Sequence, residues 1–394
     1  MTHVSAPPKK LFEADDTQAL FEEARHRRRR RQMWTGSALA ASLVLGASAY
    51  VIAAQANGPG SGPHRSDTST SALVRTGSTL VYGLDTLRFI NADTGASRTV
   101  PMPAPGGENT LPEILRAGRF LLLNDGLKAW LYPPGVEEAP IDLGTSARII
   151  LTPSGDRVWL WGTGPANDVR LVDFTGQQIG PAVALPTDWF PTGEAVDEGL
   201  VLTPRLCPCA TEIWDPTSNR VIRSFPPGMA EVAASGHVFA WEEAGCVSHC
   251  MVHLTDLQTG TQQSVVLPPR VESFGGGGAF SPDGTTLAIP GYLGPWTRIS
   301  RIVERSAFTA LVLVDLANRT ARLLPGSEQR PTNAFGMFTP MWSDTGWLFF
   351  TEYGSRQVVA WHAGNRRATV LPNVILPRLP SPRDGQRLPS LAAT

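Results

Sequence analysis

Seven glycines, each just ahead of a short apolar run, recur along most of this 394-residue sequence. The clearest copy is residues 280–289, which predict a strand, a tight turn on Gly284 and a second strand. Glycine suits such a turn because it adopts positive φ without a Cβ clash. The intervals run from 37 to 62 residues, and most are close to the length of one four-stranded repeat. The seven turn glycines are Gly77, Gly118, Gly155, Gly199, Gly236, Gly284 and Gly346.

A second marker follows most of the glycines: a strand that ends in a polar turn. The side chains of Asp and Asn accept hydrogen bonds from their own backbone in such turns, and the residues at these places are Asn91, Asp173, Asp215, Asp256 and Asp315. Two markers in register predict repeated antiparallel sheets, each too small to bury both faces alone. We therefore predict an all-β fold, a seven-bladed β-propeller of four-stranded antiparallel blades, with an irregular β-sandwich as the alternative.

The run Ser281-Pro282-Asp283-Gly284, together with residues 311–319, resembles the TolB/WD40-like propeller repeats of bacteria. The whole chain is similar to the single-pass, membrane-anchored propeller proteins of actinobacteria, and the resemblance covers roughly residues 72–372. It implies a propeller that acts as an interaction platform and has no fixed catalytic set. Likeness of fold assigns no reaction.

The N-terminal part predicts a membrane anchor. A basic run from Arg25 to Arg31 precedes an uncharged stretch of 22 residues that begins at Met33 and ends at Ala54, and a helix of that length spans about 33 Å. The arginines on one flank place the N-terminus in the cytoplasm and the propeller outside, and they suit anionic lipid head groups. The alternatives are a signal peptide cleaved near Ala56 and a twin-arginine signal, both of which also export the propeller.

These patterns divide the chain into five segments. We predict a cytoplasmic tail with a short basic helix (1–32), a transmembrane signal anchor (33–54), a flexible linker (55–71), the propeller (72–376) and a disordered tail (377–394). Ring closure has two candidate inner strands for blade 1, residues 71–75 or residues 374–376.

The four cysteines fall in equivalent loops of blades 4 and 5, and in an oxidising compartment they predict disulfides. We favour Cys246–Cys250 within its own hairpin, because equivalent loops of stacked sheets lie about 10 Å apart. The second pair, Cys207–Cys209, then follows by elimination. Bridges between the two pairs remain an alternative, and so does a metal site of Cys246, His249, Cys250 and His253.

The corresponding loop of blade 6 is much longer, from Pro290 to about Thr309. Long loops in compact domains often carry function, and Arg and Trp are favoured at binding hot spots. We therefore predict a surface for a protein or cell-envelope ligand at this loop. The predicted binding residues are Tyr292, Trp296, Arg298, Arg301 and Arg305.

No established catalytic motif is present: the sequence has no Gly-x-Ser-x-Gly elbow, no His-Glu-x-x-His and no Walker loop. The net charge of −1 argues against nucleic acid as a partner. We predict a monomeric, non-catalytic binding propeller without cofactor or metal. The alternatives are a propeller hydrolase or lyase, whose site would gather at the axis from several blades, and a transmembrane sensor that reports through residues 11–31.

We predict that a reporter fused after residue 394 is active outside the cytoplasm, because the arginine run keeps the N-terminal flank inside. A compartment-specific reporter pair, one active only outside and one only in the cytosol, checks this. Activity of the cytosolic reporter alone would contradict the predicted topology.

Overall fold

The computed structural model describes residues 75–83, 86–103, 113–117, 119–134, 139–162, 167–204, 210–243, 246, 249–269, 271–272, 277–293, 298–299, 302–303, 308–328, 340–351, 357–376 and 391–393. All of them belong to one compact unit, Ala72–Thr394. The tail, anchor and linker predicted for residues 1–71 lie outside the described residues. In the part of the chain that is described, no helix has the length and hydrophobicity needed to cross a membrane.

The described residues form seven blades and one small hairpin. Blades 1 to 3 contain β1 (Thr79–Gly83), β2 (Thr86–Asn91), β3 (Ser97–Pro101), β4 (Glu113–Ala117), β5 (Phe120–Asn124), β6 (Lys128–Tyr132), β7 (Ile141–Thr145), β8 (Arg148–Leu151), β9 (Arg157–Trp161), β10 (Asp168–Asp173) and β11 (Gln178–Ala184). Blades 4 and 5 contain β12 (Trp189–Val196), β13 (Gly199–Pro204), β14 (Glu212–Asp215), β15 (Arg220–Ser224), β16 (Met229–Ser235), β17 (Val238–Glu243), β18 (Met251–Asp256) and β19 (Gln262–Val266).

Blade 6 contains β20 (Val271–Glu272), β21 (Ala279–Phe280), β22 (Thr286–Leu293), β25 (Phe308–Asp315) and β26 (Thr320–Leu323), and the hairpin is β23 (Arg298–Ile299) with β24 (Ile302–Val303). Blade 7 contains β27 (Met341–Trp342), β28 (Trp347–Phe350), β29 (Gln357–His362) and β30 (Thr369–Ile375). The last strand in the chain is β31 (Leu391–Ala393), which belongs to blade 1. Every strand pair is antiparallel, which confirms the predicted fold class of a seven-bladed propeller.

Three of the predicted turn glycines and the polar turns act as the sequence analysis predicted. Gly155, Gly236 and Gly284 adopt positive φ of 69°, 53° and 67° at the turn between the first two strands of their blades. The Asp173 carboxylate accepts hydrogen bonds from the Thr175 and Gln177 amides at 2.9 Å, and the other polar turns follow the same scheme.

Gly199 differs from Gly155, Gly236 and Gly284. It begins β13 instead of occupying the turn, and a Cβ there would lie 2.2 Å from the Trp214 carbonyl oxygen. Close packing between strands, and not positive φ, therefore requires glycine at this position.

Apolar side chains fill the spaces between blades. The buried apolar residues form seven clusters among the described residues, one at each junction between neighbouring blades. The innermost strands then contact one another in a closed circle of β31, β4, β8, β12, β16, β21, β27 and back to β31. Crowding at the axis explains Gly278, whose amide donates to the Val232 carbonyl at 2.8 Å and whose Cβ would meet Val232 Cγ1 at 2.9 Å.

The strand that closes the ring is neither of the two inner strands predicted for blade 1. The inner strand of blade 1 is β31, whose residues pair with β1 as Leu80↔Ala393, Val81↔Ala392 and Tyr82↔Leu391. Residues 374–376 instead lie in or just after β30, the outer strand of blade 7, and Arg75 is not in a strand. Residues 391–393 are therefore ordered in the sheet, although we predicted a disordered tail there.

The two faces of β31 pack against two different neighbouring blades. Ala392 packs in the cluster between blades 1 and 2, and Ala393 in the cluster between blades 7 and 1. Arg116 reinforces the closure by donating to the Ala393 carbonyl at 3.0 Å and forming an ion pair with Asp344 of blade 7. Three blades thus meet at this strand.

We expect Ala392→Asp to lower the free energy of unfolding by at least about 3 kcal/mol, because a carboxylate would be buried without a partner in a site that is 4% exposed. The matched control is Thr99→Asp on the exposed outer strand of the same blade. Denaturant unfolding of the full-length protein measures both. Equal stability of the two variants would contradict closure by β31.

Candidate functional site

Charged side chains lie on the innermost strands of four consecutive blades. Glu113 begins β4, Arg148 begins β8, Glu194 lies in β12 and Glu231 in β16, so four consecutive blades each contribute one charged residue. All four are half-buried, and each sits on a strand that faces the axis. We call this group the axial site.

Glu194 and Glu231 both lie where the regular pairing of their strand is interrupted. In β12 the register with β13 shifts between Pro191 and Ala195, and in β16 the register with β17 shifts between Glu231 and Ala233. Such bulges re-aim side chains and are common beside active sites. The two adjacent inner strands therefore both depart from regular pairing at their acidic residue.

Few hydrogen-bond donors serve the glutamate pair. The Thr192 hydroxyl donates to Glu231 Oε1 at 3.1 Å, and the backbone amide of Ala234 lowers the pKa of Glu194. Because Ala234 belongs to the strand that carries Glu231, and Thr192 to the strand that carries Glu194, each strand supplies a polar group that stabilises the other strand's carboxylate.

Burial keeps protons on this pair. Removal from water raises the pKa of Glu194 to about 7, with a further contribution from the Glu113 charge and opposing effects from the Ala234 amide and Arg148. Removal from water also raises the pKa of Glu231 to about 8, and the neighbouring Glu194 charge adds to the shift.

The arrangement suits proton transfer near neutral pH. Two neighbouring carboxyls whose protons are lost in separate steps provide one acid and one base at one site. General acid–base catalysis works best when the pKa of the group lies near the working pH. The axial site is therefore chemically able to donate and accept protons on a bound ligand.

The sequence analysis did not identify these residues, although a signal was present. Glu113, Glu194 and Glu231 each stand five residues before the turn glycine of their blade, at Gly118, Gly199 and Gly236. Isolated glutamates in strands of a soluble domain normally indicate an exposed face, so only the shared spacing distinguishes them. Arg148 has no such marker.

The predicted loop residues are only partly described. Tyr292 lies in β22 and Arg298 in β23, while their side chains and the whole of Trp296, Arg301 and Arg305 lie outside the described residues. The loop itself is shorter than predicted, because β22 continues to Leu293 and β25 begins at Phe308. It also carries a hairpin of its own, β23–β24, which we did not expect.

The disulfide Cys246–Cys250 is confirmed, with Cα atoms 5.6 Å apart, and it closes its own hairpin loop in blade 5. This pairing excludes the bridge between loops for these two cysteines. Cys207 and Cys209 lie outside the described residues, so the disulfide between these two cysteines stays a prediction.

The alternative metal site in the same loop is wrong. Cys250 packs between blades 5 and 6, whereas His253 stacks on Trp241 with ring centroids 4.1 Å apart, on the opposite face of the sheet. The His253 ring also shares a hydrogen bond with Ser264 Oγ at 2.8 Å. Across the described residues, no group of three or more His, Cys, Asp or Glu side chains has a geometry that could hold a metal ion.

No protein-family model matches this sequence, and no curated protein matches it. Among solved structures, an oligogalacturonate lyase in complex with manganese is 13% identical with a TM-score of 0.49, covering 73% of this chain and 83% of that chain. An oligogalacturonate lyase from Vibrio parahaemolyticus is 10% identical with a TM-score of 0.48, covering 74% of this chain and 85% of the other. Hydrazine synthase from Kuenenia stuttgartiensis is 14% identical with a TM-score of 0.44, covering 66% and 78%. These similarities concern the β-propeller fold alone.

We expect the axial site to make the protein less stable as pH rises from about 5 to about 8, because the folded state holds protons there that the unfolded chain has released. Glu231→Gln keeps the shape and removes the charge. It should leave the free energy of unfolding unchanged near pH 5 and raise it by about 2 kcal/mol near pH 8.5.

Urea unfolding of the full-length protein at several pH values measures this difference. The exposed Glu328→Gln serves as control and should not change the pH dependence. If Glu231→Gln and Glu328→Gln give the same pH dependence, the glutamate pair does not hold a proton at neutral pH.

Proposed function

We propose that this protein is a propeller enzyme of the hydrolase or lyase class that acts in the axial channel. The observation that carries the proposal is the pairing of Glu194 and Glu231 on adjacent inner strands, each at a bulge, with Thr192 of one strand donating to Glu231 of the other. Burial keeps one proton on this pair at neutral pH. This revises the non-catalytic function predicted from the sequence.

In the proposed reaction the two glutamates act as a base and an acid. The ionised carboxylate of the pair removes a proton from water or from the substrate, and the protonated carboxyl donates a proton to the leaving oxygen or nitrogen. Glu194 and Glu231 share the two roles, because burial raises the pKa of both carboxyls. Glu113 adds negative charge that raises the proton affinity of Glu194.

The proposed location follows from the sequence. The uncharged segment from Met33 to Ala54 and the basic run from Arg25 to Arg31 support a single-pass anchor with the propeller outside the membrane. A substrate from the cell envelope would fit that location. The TolB/WD40-like and actinobacterial character rests on the repeat residues quoted above and is likewise a proposal.

We expect Glu194→Gln and Glu231→Gln each to reduce turnover by at least about 100-fold, because a positioned acid or base contributes roughly 10²–10⁴ to the rate. Full-length wild-type protein and variants would be incubated with fractionated envelope polysaccharides and peptides, and products detected by mass spectrometry. Glu328→Gln is the control that should retain full turnover. Turnover that survives in the double variant would refute the axial reaction.

A second candidate function is partner binding on the face that carries the loops of blades 4 to 6. Two observations favour it: the eight-residue strands β22 and β25 end in the separate hairpin β23–β24, and the neighbouring loop of blade 5 is braced by Cys246–Cys250. Because the second and third strands of every blade join on the same face, the strand ends that flank these loops lie on one face of the ring. Such a braced surface suits a protein or envelope ligand, as predicted from the sequence.

We expect replacement of residues 294–307 by a two-residue turn to abolish co-purification of that partner, because the replacement removes the hairpin and keeps β22 and β25. Quantitative pull-down from an envelope extract would compare it with wild type and with Glu231→Gln, which should bind normally. Equal recovery from wild type and from the loop variant would rule this surface out.

A further inference from the structure

Arg148 belongs to blade 3, but its guanidinium contacts blade 4. Nη1 donates to the Pro191 carbonyl at 3.0 Å and also to the Thr192 carbonyl. Residues 192–194 lie in the interval where the pairing of β12 with β13 is interrupted. The guanidinium therefore supplies a partner for carbonyls beside the bulge that brings Glu194 to the axis.

Gly193 allows this contact. Its φ is +112°, a conformation that other L-residues rarely adopt, and a Cβ there would lie 3.5 Å from Arg148 Nη1 and 3.6 Å from Cδ. The bulge thus places a glycine directly against the arginine side chain. A residue with a Cβ would be strained by the positive φ, while its Cβ would make an ordinary van der Waals contact with the Arg148 side chain.

Thr192 links the two glutamates. Its hydroxyl oxygen accepts the Glu194 amide at 3.4 Å and donates to Glu231 Oε1 at 3.1 Å. The carbonyl of this same residue is held by Arg148. A displacement of the bulge would therefore move Glu194 and the donor to Glu231 together.

We infer that Arg148 is the positioning residue of the axial site: its guanidinium holds the Pro191 and Thr192 carbonyls, and so fixes the bulge from which Glu194 and Thr192 meet Glu231. This inference rests on the proposed function only where it concerns catalysis. The positioning itself is measurable without a substrate.

Charge and positioning are separable here. The charged groups that act on the pair are Glu113 from blade 2, Arg148 from blade 3 and the two glutamates themselves. Arginine holds the N–H groups of Nη1 in the plane of a rigid guanidinium, whereas lysine carries the same charge on a flexible ammonium group. Arg148→Lys therefore keeps the charge and loses the fixed direction of the donors to Pro191 and Thr192, while Arg148→Met loses both the charge and the donors.

The test is a pH titration of the full-length protein carrying ¹³C-labelled glutamate, with Glu194 and Glu231 assigned from their Gln variants. In Arg148→Met we expect both midpoints to rise by about one pH unit, because a nearby positive charge is lost. In Arg148→Lys we expect a smaller rise. In both variants, amide hydrogen exchange at Glu194 and Ala234 should be faster than in wild type.

The matched control is Arg170→Met, which removes an arginine that also donates to a backbone carbonyl, that of Thr145, but on β10 and not on an inner strand. It should change neither midpoint nor the two amides. Unchanged midpoints and exchange in Arg148→Met would overturn the inference, as would changes equal to those of Arg170→Met. If Arg148→Met does not fold, Arg148→Lys carries the test through the exchange at Glu194 and Ala234.

The outcome is distinguishable from failure of the proposed function. If the proposed reaction is wrong, Glu194→Gln and Glu231→Gln will retain full turnover, while the effects of Arg148→Met on the titration will still be seen. If the positioning of the site by Arg148 is wrong, Arg148→Met will change neither the titration midpoints nor the amide exchange, whatever the turnover of the glutamine variants.

Discussion

The structure depends on the fact that each blade has two apolar faces and can bury neither alone. Leu122 faces blade 3 from the middle of β5, whereas Leu121 and Leu123 on the same strand face blade 1. Only a closed ring covers both faces of every sheet. The three residues of β31 are sufficient for closure because Ala392 and Ala393 add to the two clusters that flank blade 1.

Closure also creates the axial site. The inner strands approach so closely that Gly278 packs against Val232 of the next blade, and side chains pointing to the axis lose much of their hydration. A carboxylate there is costly unless it is protonated, bonded or near a positive charge. All three conditions apply to Glu194 and Glu231. Burial raises the pKa of both carboxyls, Thr192 donates a hydrogen bond to Glu231, and the positive charge of Arg148 lies nearby. The chemistry of the pair thus follows from the architecture.

Much of the fold could be predicted from the sequence because its signals are local. The turns at Gly155 and Gly284 and the carboxylate of Asp173 need only neighbouring residues to form. Closure by β31 could not be predicted in this way, since Leu-Ala-Ala carries no turn or alternation signal and pairs with residues more than 300 positions earlier. Irregularities of pairing such as the bulge at residues 192–194 are also set by tertiary packing.

The candidate site was harder to predict than the fold. The Cys246–Cys250 disulfide was predictable from its short spacing and the distance between neighbouring sheets. The axial glutamates were missed because their spacing to the turn glycine becomes meaningful only when the strands are known to be the innermost ones. Arg148 gains its role from a contact with the next blade, which no pattern within its own repeat indicates.

The most direct test of the account is an experimental high-resolution structure of the full-length protein at neutral pH. We predict a closed ring of seven blades in which Glu194 and Glu231 face one channel from adjacent inner strands, with Arg148 on the carbonyls of Pro191 and Thr192. An open ring, or glutamates that point away from each other into bulk solvent, would contradict the account.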